Sequence, residues 1–115
     1  MPEDRFLVEL FGSVPVVAAP EEIDVTNAAG LRAALVEAAS DGGKRLVVDM
    51  TQTQYCDSSG IHALAAAHLR AVEEGREVLL AVSAAAVLRI LALTGIDQMI
   101  PSFATLEEAL GRAQA

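Results

Sequence analysis

The sequence predicts a single α/β domain whose sheet is mixed but mostly parallel. Two runs of mainly consecutive apolar residues, Arg45–Met50 and Glu77–Val82, are typical of strands that are buried on both faces. Segments with apolar residues at helical spacing lie before, between and after these strands, an order that favours parallel strands connected by helices. A length of 115 residues is about one domain with one core, so a second domain is not expected.

The chain is predicted to open with a β-hairpin, which makes the sheet mixed. Apolar runs at Arg5–Leu10 and Val14–Ala18 are separated only by Phe11-Gly12-Ser13, a spacing that indicates two tightly joined strands. The segment Pro20-Glu21-Glu22-Ile23-Asp24 then interrupts the pattern and is predicted to be a turn.

Two long helices are predicted in the middle of the chain. Thr26 is expected to cap a helix that runs through Ala39 and is ended by Asp41-Gly42-Gly43. Helical spacing returns over residues 59–74, and Gly75 fits the C′ position that ends such a helix. The apolar face of this second helix is predicted to comprise Ile61, Leu64, Ala65 and Val72.

The last third of the chain is predicted to hold two further helices and a short strand. Ser83 is expected to cap a helix over residues 84–93, and residues 98–100 are expected to form the last strand. The run Thr105-Leu106-Glu107-Glu108 has the form of a capping box and begins a helix that is predicted to reach about Arg112.

The charge balance argues against nucleic acid and membrane surfaces as partners. The formal net charge is -8, whereas nucleic acids and anionic lipids attract clustered Lys and Arg. The N-terminus lacks the basic start and apolar core of a signal peptide, and the apolar stretch 81–93 is interrupted by Ser83 and Arg89, so no membrane span is predicted. Because Cys56 is the only cysteine, no internal disulfide can form, and the cytoplasm is the expected location.

The turn Asp57-Ser58-Ser59-Gly60 is the most informative motif. It places two hydroxyls between a buried strand and a helix, where backbone N–H groups favour anions and a phosphate would change the surface charge sharply. In a parallel sheet this turn and the Pro20–Asp24 turn are expected to share the edge at the carboxyl ends of the strands. The sequence therefore predicts a phosphorylation switch on this edge.

A structural interpretation of the same four residues is also open. Asp-Ser-Ser-Gly before a helix is what an ordinary N-cap looks like, and one serine can cap while its neighbour is modified. Physical chemistry alone does not choose between Ser58 and Ser59 as the acceptor.

Catalytic, metal and cofactor sites are not predicted. Gly42-Gly43-Lys44 lacks the spacing of a phosphate loop, and His62 and His68 are six residues apart, so they do not share a helix face as a metal pair would. Cys56 is expected to point into the core. Ser58 has no base oriented by a third group, so we expect a binding protein and not an enzyme.

The chain resembles the STAS domain, and within that family the bacterial anti-sigma factor antagonists. The resemblance covers almost the whole chain and rests on Val47-Val48-Asp49-Met50, an aromatic at Tyr55, and Asp57-Ser58-Ser59-Gly60-Ile61. It also includes Glu22-Ile23-Asp24 and the stretch from residue 83 to residue 96. It implies a STAS-like sheet with helices packed mainly on one face.

The resemblance also implies a function. The unphosphorylated form would bind a cognate anti-sigma factor, itself a serine kinase, and so release a sigma factor. Phosphorylation of Ser58 would reverse the release, and a metal-dependent serine phosphatase would reset the switch. Ser59 and Gly60 would open the helix. The partner-binding residues implied are Glu22, Asp24, Thr26, Asp57, Ser59, Gly60 and Ile61.

The chain departs from the family pattern at one turn, and a second function is open. Pro20-Glu21-Glu22-Ile23-Asp24 stands where a Gly-Glu-Leu-Asp-like turn is common, and glutamate does not adopt a positive φ cheaply, so this turn must be made differently. The alternative is a STAS module that never switches, a scaffold or transporter-associated subunit in which Ser58 is only a helix cap.

Overall fold

The computed structural model describes residues 6–41 and 43–115. After an opening hairpin its longer helices and strands alternate, as the sequence predicts, with two additional two-residue strands and one additional short helix. In chain order they are β1 (Val8–Phe11), β2 (Val14–Ala18), β3 (Glu22–Ile23), α1 (Ala28–Asp41), β4 (Arg45–Met50), β5 (Tyr55–Cys56), α2 (Ser58–Glu73), β6 (Glu77–Val82), α3 (Ala85–Thr94), α4 (Ile96–Met99), β7 (Ser102–Phe103) and α5 (Leu106–Ala113).

The main sheet has five strands in the order β1-β2-β4-β6-β7. β1 is antiparallel to β2, and the remaining neighbours are parallel. β4 is the central strand, because Val47 pairs with Val16 of β2 on one side and with Leu79 of β6 on the other. This position explains why its apolar residues are consecutive, since both faces of the strand are covered.

Helices cover both faces of this sheet, and four of the five described helices share one face. The larger core contains Leu31 of α1, Leu64 of α2 and Leu91 of α3, all fully buried. On the opposite face α5 contributes Ala109, which packs in a smaller core with Val47. The predicted fold class, with helices mainly on one face, is therefore confirmed.

The predicted end of the second long helix at Gly75 is confirmed, and α3 also ends at a glycine. After α2, Gly75 has φ +72°, and after α3, Gly95 has φ +82°. Both are in the left-handed region, which costs a residue without Cβ little. The Gly75 N–H donates to the Val72 carbonyl (3.1 Å), which closes the last turn of α2.

Two predicted caps are wrong. α1 begins at Ala28, two residues after Thr26, and the Thr26 hydroxyl donates to the Asp24 carboxylate (2.5 Å) and accepts no N–H of the described helix. The residue before α3 is Ala84, which makes no side-chain cap bond. Ser83 instead donates to the Ala104 carbonyl (3.1 Å), so it ties β6 to the loop before α5.

The predicted strand at residues 98–100 is also wrong. These residues follow the left-handed Gly95, which starts the short helix α4, and the Ile100 N–H donates to the Ile96 carbonyl (2.9 Å). Strand pairing begins only after Pro101, whose carbonyl accepts from the Leu80 N–H (2.9 Å). Proline has no N–H to donate, so β7 pairs from Ser102 onward.

Smaller differences concern single residues. Val72, predicted on the apolar face of α2, is 57% exposed, and Ala71 is buried in its place. Ile61 and Leu64 are buried as predicted. The predicted hairpin start at Arg5 lies outside the described residues, as does Gly42. Across the described helices, none is long and apolar enough to cross a bilayer.

Candidate functional site

The two turns predicted to share an edge are joined directly by a small second sheet. β3 pairs in parallel with β5, so that Glu22 lies opposite Tyr55 and Ile23 lies opposite Cys56. The Asp57 N–H extends this pairing by donating to the Ile23 carbonyl (3.1 Å). The Ser58 turn and the Pro20–Asp24 turn therefore form one surface, as the sequence predicts.

The turn before α1 is indeed built without a left-handed residue. Among the described residues, positive φ occurs only at glycines, and Glu22 is instead extended in β3. The Asn27 side chain stabilises the turn by bonding to its backbone. Its Oδ1 accepts from the Asp24 N–H (3.0 Å), and its Nδ2 donates to the Glu22 carbonyl (2.8 Å). This role of Asn27 was not predicted, although Asx residues before a helix are typical of such turns.

Asp24 is the centre of this turn. Its Oδ1 accepts from the Thr26 hydroxyl (2.5 Å) and from the Thr26 N–H (2.9 Å), and these bonds lower the pKa of the carboxyl. Asp24 is half-buried, whereas Glu22 and Thr26 are exposed. The turn therefore presents the acidic side chains of Glu22 and Asp24 and the hydroxyl of Thr26 on a fixed backbone.

Thr53 connects the edge that carries the two turns to the main sheet, a role that was also not predicted. It is fully buried, and its hydroxyl donates to the Pro20 carbonyl (2.8 Å) while its N–H donates to the Met50 carbonyl (3.0 Å). A buried hydroxyl needs such a partner. The contact links the end of β4 to the turn after β2.

Asp57, and not Ser58, is the N-cap of α2. Asp57 is extended (φ -92°, ψ -172°), and its Oδ1 accepts from the Ser59 N–H (2.8 Å) and the Gly60 N–H (3.2 Å). Ser58 is the first helical residue and is exposed, and its hydroxyl has no hydrogen-bond partner among the described residues. The interpretation of Ser58 as a structural cap is therefore wrong, because the carboxylate before it accepts both bonds.

Replacing Asp57 with alanine is expected to lower the free energy of unfolding by about 1–2 kcal/mol, because two N–H groups lose their acceptor. Asp57→Asn is the matched control, since asparagine caps helices about as well and should cost only a few tenths of a kcal/mol. Urea denaturation of the three proteins measures the difference. An alanine variant as stable as the wild type would contradict the assignment of the cap.

Gly60 and Ile61 face inward. Gly60 is buried, and a Cβ atom on it would lie 2.5 Å from Cys56 Sγ and 2.7 Å from Ile23 Cγ2. The absence of a side chain therefore lets the first turn of α2 lie directly on the small sheet. Ile61 belongs to the larger core. These two residues set the position of the serine turn, whereas Ser58 and the half-buried Ser59 lie at its surface.

Cys56 points into the core, as predicted, and its environment favours the neutral thiol. It is 3% exposed, and burial, with a smaller effect of Asp57, raises its pKa from 9.0 to about 11. In the unfolded chain the thiol ionises first, so the stabilisation by the neutral thiol is present below pH 9 and is lost as pH rises toward 11.

Between about pH 8 and pH 10, the wild type is therefore expected to lose about 1 kcal/mol more stability than Cys56→Ala. Comparing the two proteins removes the contribution of other groups that titrate in this range. Denaturant unfolding at several pH values measures the difference. Parallel stability curves would show that the thiol is not shielded from ionisation.

Two depressions flank the serine turn. One, of about 210 Å³, lies between the beginnings of α1 and α2, and its lining is Ala28, Ala29, Arg32, Ser59, His62 and Ala63. The other, of about 260 Å³, lies between β5 and α3, and its lining is Gln54, Tyr55, Cys56, Ala86, Arg89 and Ile90. Within the described ranges, no group of three or more His, Cys, Asp or Glu side chains is placed to hold a metal ion.

Comparison with known structures gives similar folds along nearly the whole chain. An anti-sigma factor antagonist from Mycobacterium paratuberculosis is 29% identical, with a TM-score of 0.87 and coverage of 99% of this chain and 98% of that one. SpoIIAA of Bacillus in its unphosphorylated form is 20% identical, with a TM-score of 0.79 and coverage of 96% of both chains.

The fold is also shared by a protein that is described as a transporter family protein and not as an anti-sigma factor antagonist. A sulfate transporter family protein from Wolinella succinogenes is 17% identical, with a TM-score of 0.80 and coverage of 92% of this chain and 88% of that one. No curated protein sequence matches the chain significantly. The model of the STAS domain, however, matches residues 5–109. The chain therefore belongs to the STAS domain family.

Proposed function

We propose that this protein is an anti-sigma factor antagonist that is switched by phosphorylation of Ser58. Its unphosphorylated form binds a cognate anti-sigma factor, a serine kinase of the cytoplasm, and so releases a sigma factor. The observation that carries this proposal is the state of Ser58: its hydroxyl is exposed and has no partner among the described residues, directly beside a helix start that Asp57 already caps. The fold does not use this hydroxyl, so a kinase can modify it without removing a structural contact.

The surface around Ser58 explains how one phosphate could end binding. Glu22 is exposed on the same edge, and Asp24 and Asp57 are half-buried there. A phosphate adds about 1.5 to 2 negative charges to this acidic surface. A partner whose matching surface holds carboxylates or apolar groups opposite Ser58 would then meet a concentrated negative charge, and like charges brought together across an interface cost several kcal/mol.

The docking surface in this proposal is the edge formed by the β3 turn and the start of α2. Glu22, Asp24, Thr26, Asp57 and Ser59 present side chains at or near the surface. Gly60 and Ile61 belong to the same site but contribute by packing, because both are buried. The switch thus depends on charge at a fixed surface and not on refolding.

The comparisons support this proposal in two ways. The mycobacterial protein of 29% identity is described as an anti-sigma factor antagonist. SpoIIAA is described in an unphosphorylated and a phosphorylated form, and this chain is similar to both, with TM-scores of 0.79 and 0.71. A phosphate on a protein of this fold is therefore compatible with the architecture.

The alternative is a STAS module that makes constant contacts, as a scaffold or as part of a transporter. The similarity to the sulfate transporter family protein shows only the shared fold. That alternative gave Ser58 the role of a helix cap, and the cap is Asp57. The alternative therefore assigns the exposed Ser58 hydroxyl neither a structural nor a regulatory role.

Mass spectrometry of the protein isolated from its host, under growth and under stress, tests the switch directly. We expect a phosphate on Ser58, within residues 55–70, whose occupancy changes with conditions. A metal-dependent serine phosphatase should remove it and restore binding to the kinase. Full coverage of these residues without any phosphate would contradict the proposal and favour the module that makes constant contacts. Phosphate on Ser59 alone would show that Ser58 is not the acceptor.

A further inference from the structure

The arginines that the structure describes in this acidic protein fall into two groups. Those with an ion-pair partner lie away from the serine turn. One cluster joins the amino ends of β4 and β6 to the end of α5, and the other lies at the end of α2. The pairs are Arg45–Glu77 (3.1 Å), Arg112–Glu77 (3.3 Å), Arg70–Glu74 (2.9 Å) and Arg76–Glu74 (3.9 Å). In the described part of the chain, Arg32 and Arg89 have no such partner, and both line the depressions beside the turn.

The depression between α1 and α2 combines a hydroxyl with two basic side chains. Ser59 and His62 lie three residues apart on the same face of α2, and Arg32 approaches from α1. The rest of the lining is alanine, which leaves the space of about 210 Å³ unfilled by side chains. A liquid water occupies about 30 Å³, so the terminal oxygens of a phosphate fit in this space. Ser58 is not part of the lining.

We propose that this depression is a second phosphate position, in which Arg32 and His62 bind a phosphate carried by Ser59. The inference rests on the proposed function to the extent that a serine kinase acts on this turn. The Ser59 Oγ would attack the γ-phosphorus of ATP, the bond from that phosphorus to the ADP oxygen would break, and the hydroxyl proton would pass to a base of the kinase. The guanidinium of Arg32 presents a planar fork that suits phosphate oxygens.

This arrangement makes the two neighbouring serines unequal. A phosphate on Ser58 remains on the acidic docking edge, where a partner meets its charge. A phosphate on Ser59 is folded against Arg32, whose charge partly neutralises it, and against His62, whose ring N–H can donate to it. The pocket therefore assigns the role of the binding switch to Ser58, and it makes phosphorylation of Ser59 a modification that stabilises the contact between α1 and α2.

The test uses genetically encoded phosphoserine in the full chain, at position 59 in one protein and at position 58 in another. Each is made with Arg32 and with Arg32→Gln. Arg89→Gln is the matched control, because Arg89 also lacks a partner among the described residues but lines the other depression. Phosphorus NMR measures the second pKa of the phosphate, which is ordinarily about 6, and thermal unfolding measures Tm.

With phosphoserine at position 59, we expect that second pKa to fall by about half a unit and Tm to rise by about 2–4 °C. Arg32→Gln should remove both effects, whereas Arg89→Gln should leave both in place. Phosphoserine at position 58 should show no dependence on Arg32. Unphosphorylated Arg32→Gln should melt with the wild type, since Arg32 is exposed and its side chain has no partner to lose among the described residues.

Two results would overturn the inference. One is a phosphate at position 59 whose second pKa is the same in the Arg32 and the Arg32→Gln proteins. The other is a phosphate at position 58 whose second pKa depends on Arg32 as strongly as that of a phosphate at position 59. Because the phosphate is installed during translation, neither the kinase nor the binding partner takes part in this test. A negative result here therefore leaves the proposed role of Ser58 standing, and failure of that role leaves the pocket measurement valid.

Discussion

Replacing Ser58 with aspartate is expected to weaken binding to the anti-sigma factor kinase by about a hundredfold, which corresponds to about 2.7 kcal/mol. The substitution adds a carboxylate to an exposed position on an edge that already carries Glu22, Asp24 and Asp57. A partner whose surface opposite Ser58 holds carboxylates or apolar groups would have to bury this charge without a counter-ion. Titration calorimetry with the purified kinase measures the change.

Ser58→Ala is the matched control and is expected to bind within about threefold of the wild type, a change of less than about 1 kcal/mol. The Ser58 hydroxyl has no hydrogen-bond partner among the described residues, so the alanine variant should also unfold within about 0.5 kcal/mol of the wild type. It should no longer accept phosphate at position 58, whereas Ser59→Ala should still accept it there. Equal binding by the aspartate and alanine variants would refute the switch and support constant contacts.

Gly60→Ala is expected to lower the free energy of unfolding by about 1–3 kcal/mol, although alanine favours helices by about 1 kcal/mol relative to glycine. The new Cβ would lie 2.5 Å from Cys56 Sγ and 2.7 Å from Ile23 Cγ2, so the start of α2 or the small sheet must move. Since the same contact positions Ser58, binding to the kinase should weaken as well. Urea denaturation and calorimetry measure the two effects.

Gly111→Ala provides the control for helix propensity. Gly111 is an exposed helical residue of α5, and a Cβ there would meet nothing within 4 Å, so the variant should be stabilised by up to about 1 kcal/mol. Combining Gly60→Ala with Cys56→Ala removes the nearer contact and should recover part of the loss, as coupled neighbours do. Equal stabilisation by Gly60→Ala and Gly111→Ala would show that α2 does not depend on the close approach.

The elements that were predicted well have strong local patterns. β4 and β6 are runs of six residues whose apolar side chains must be buried on both faces, and α2 repeats apolar residues over four turns. The short elements were predicted poorly. β3 and β5 have two residues each and exist only because they pair with each other across the chain. Residues 98–100 were assigned to a strand, but Gln98 and Met99 belong to α4, which starts after the left-handed Gly95, and Ile100 follows it in an extended conformation.

The sequence by itself determined the α/β order, the shared edge of the two turns and the family resemblance, because these follow from periodicity and from motifs that are contiguous in the chain. The tertiary structure decided what each polar side chain does. Thr26 donates to Asp24, Thr53 reaches Pro20, and Asp57 rather than Ser58 caps α2. A hydroxyl can donate or accept in many directions, so its partner depends on which backbone groups the fold brings within reach. For the same reason, only the packing of α1 against α2 separates the surroundings of Ser58 from those of Ser59.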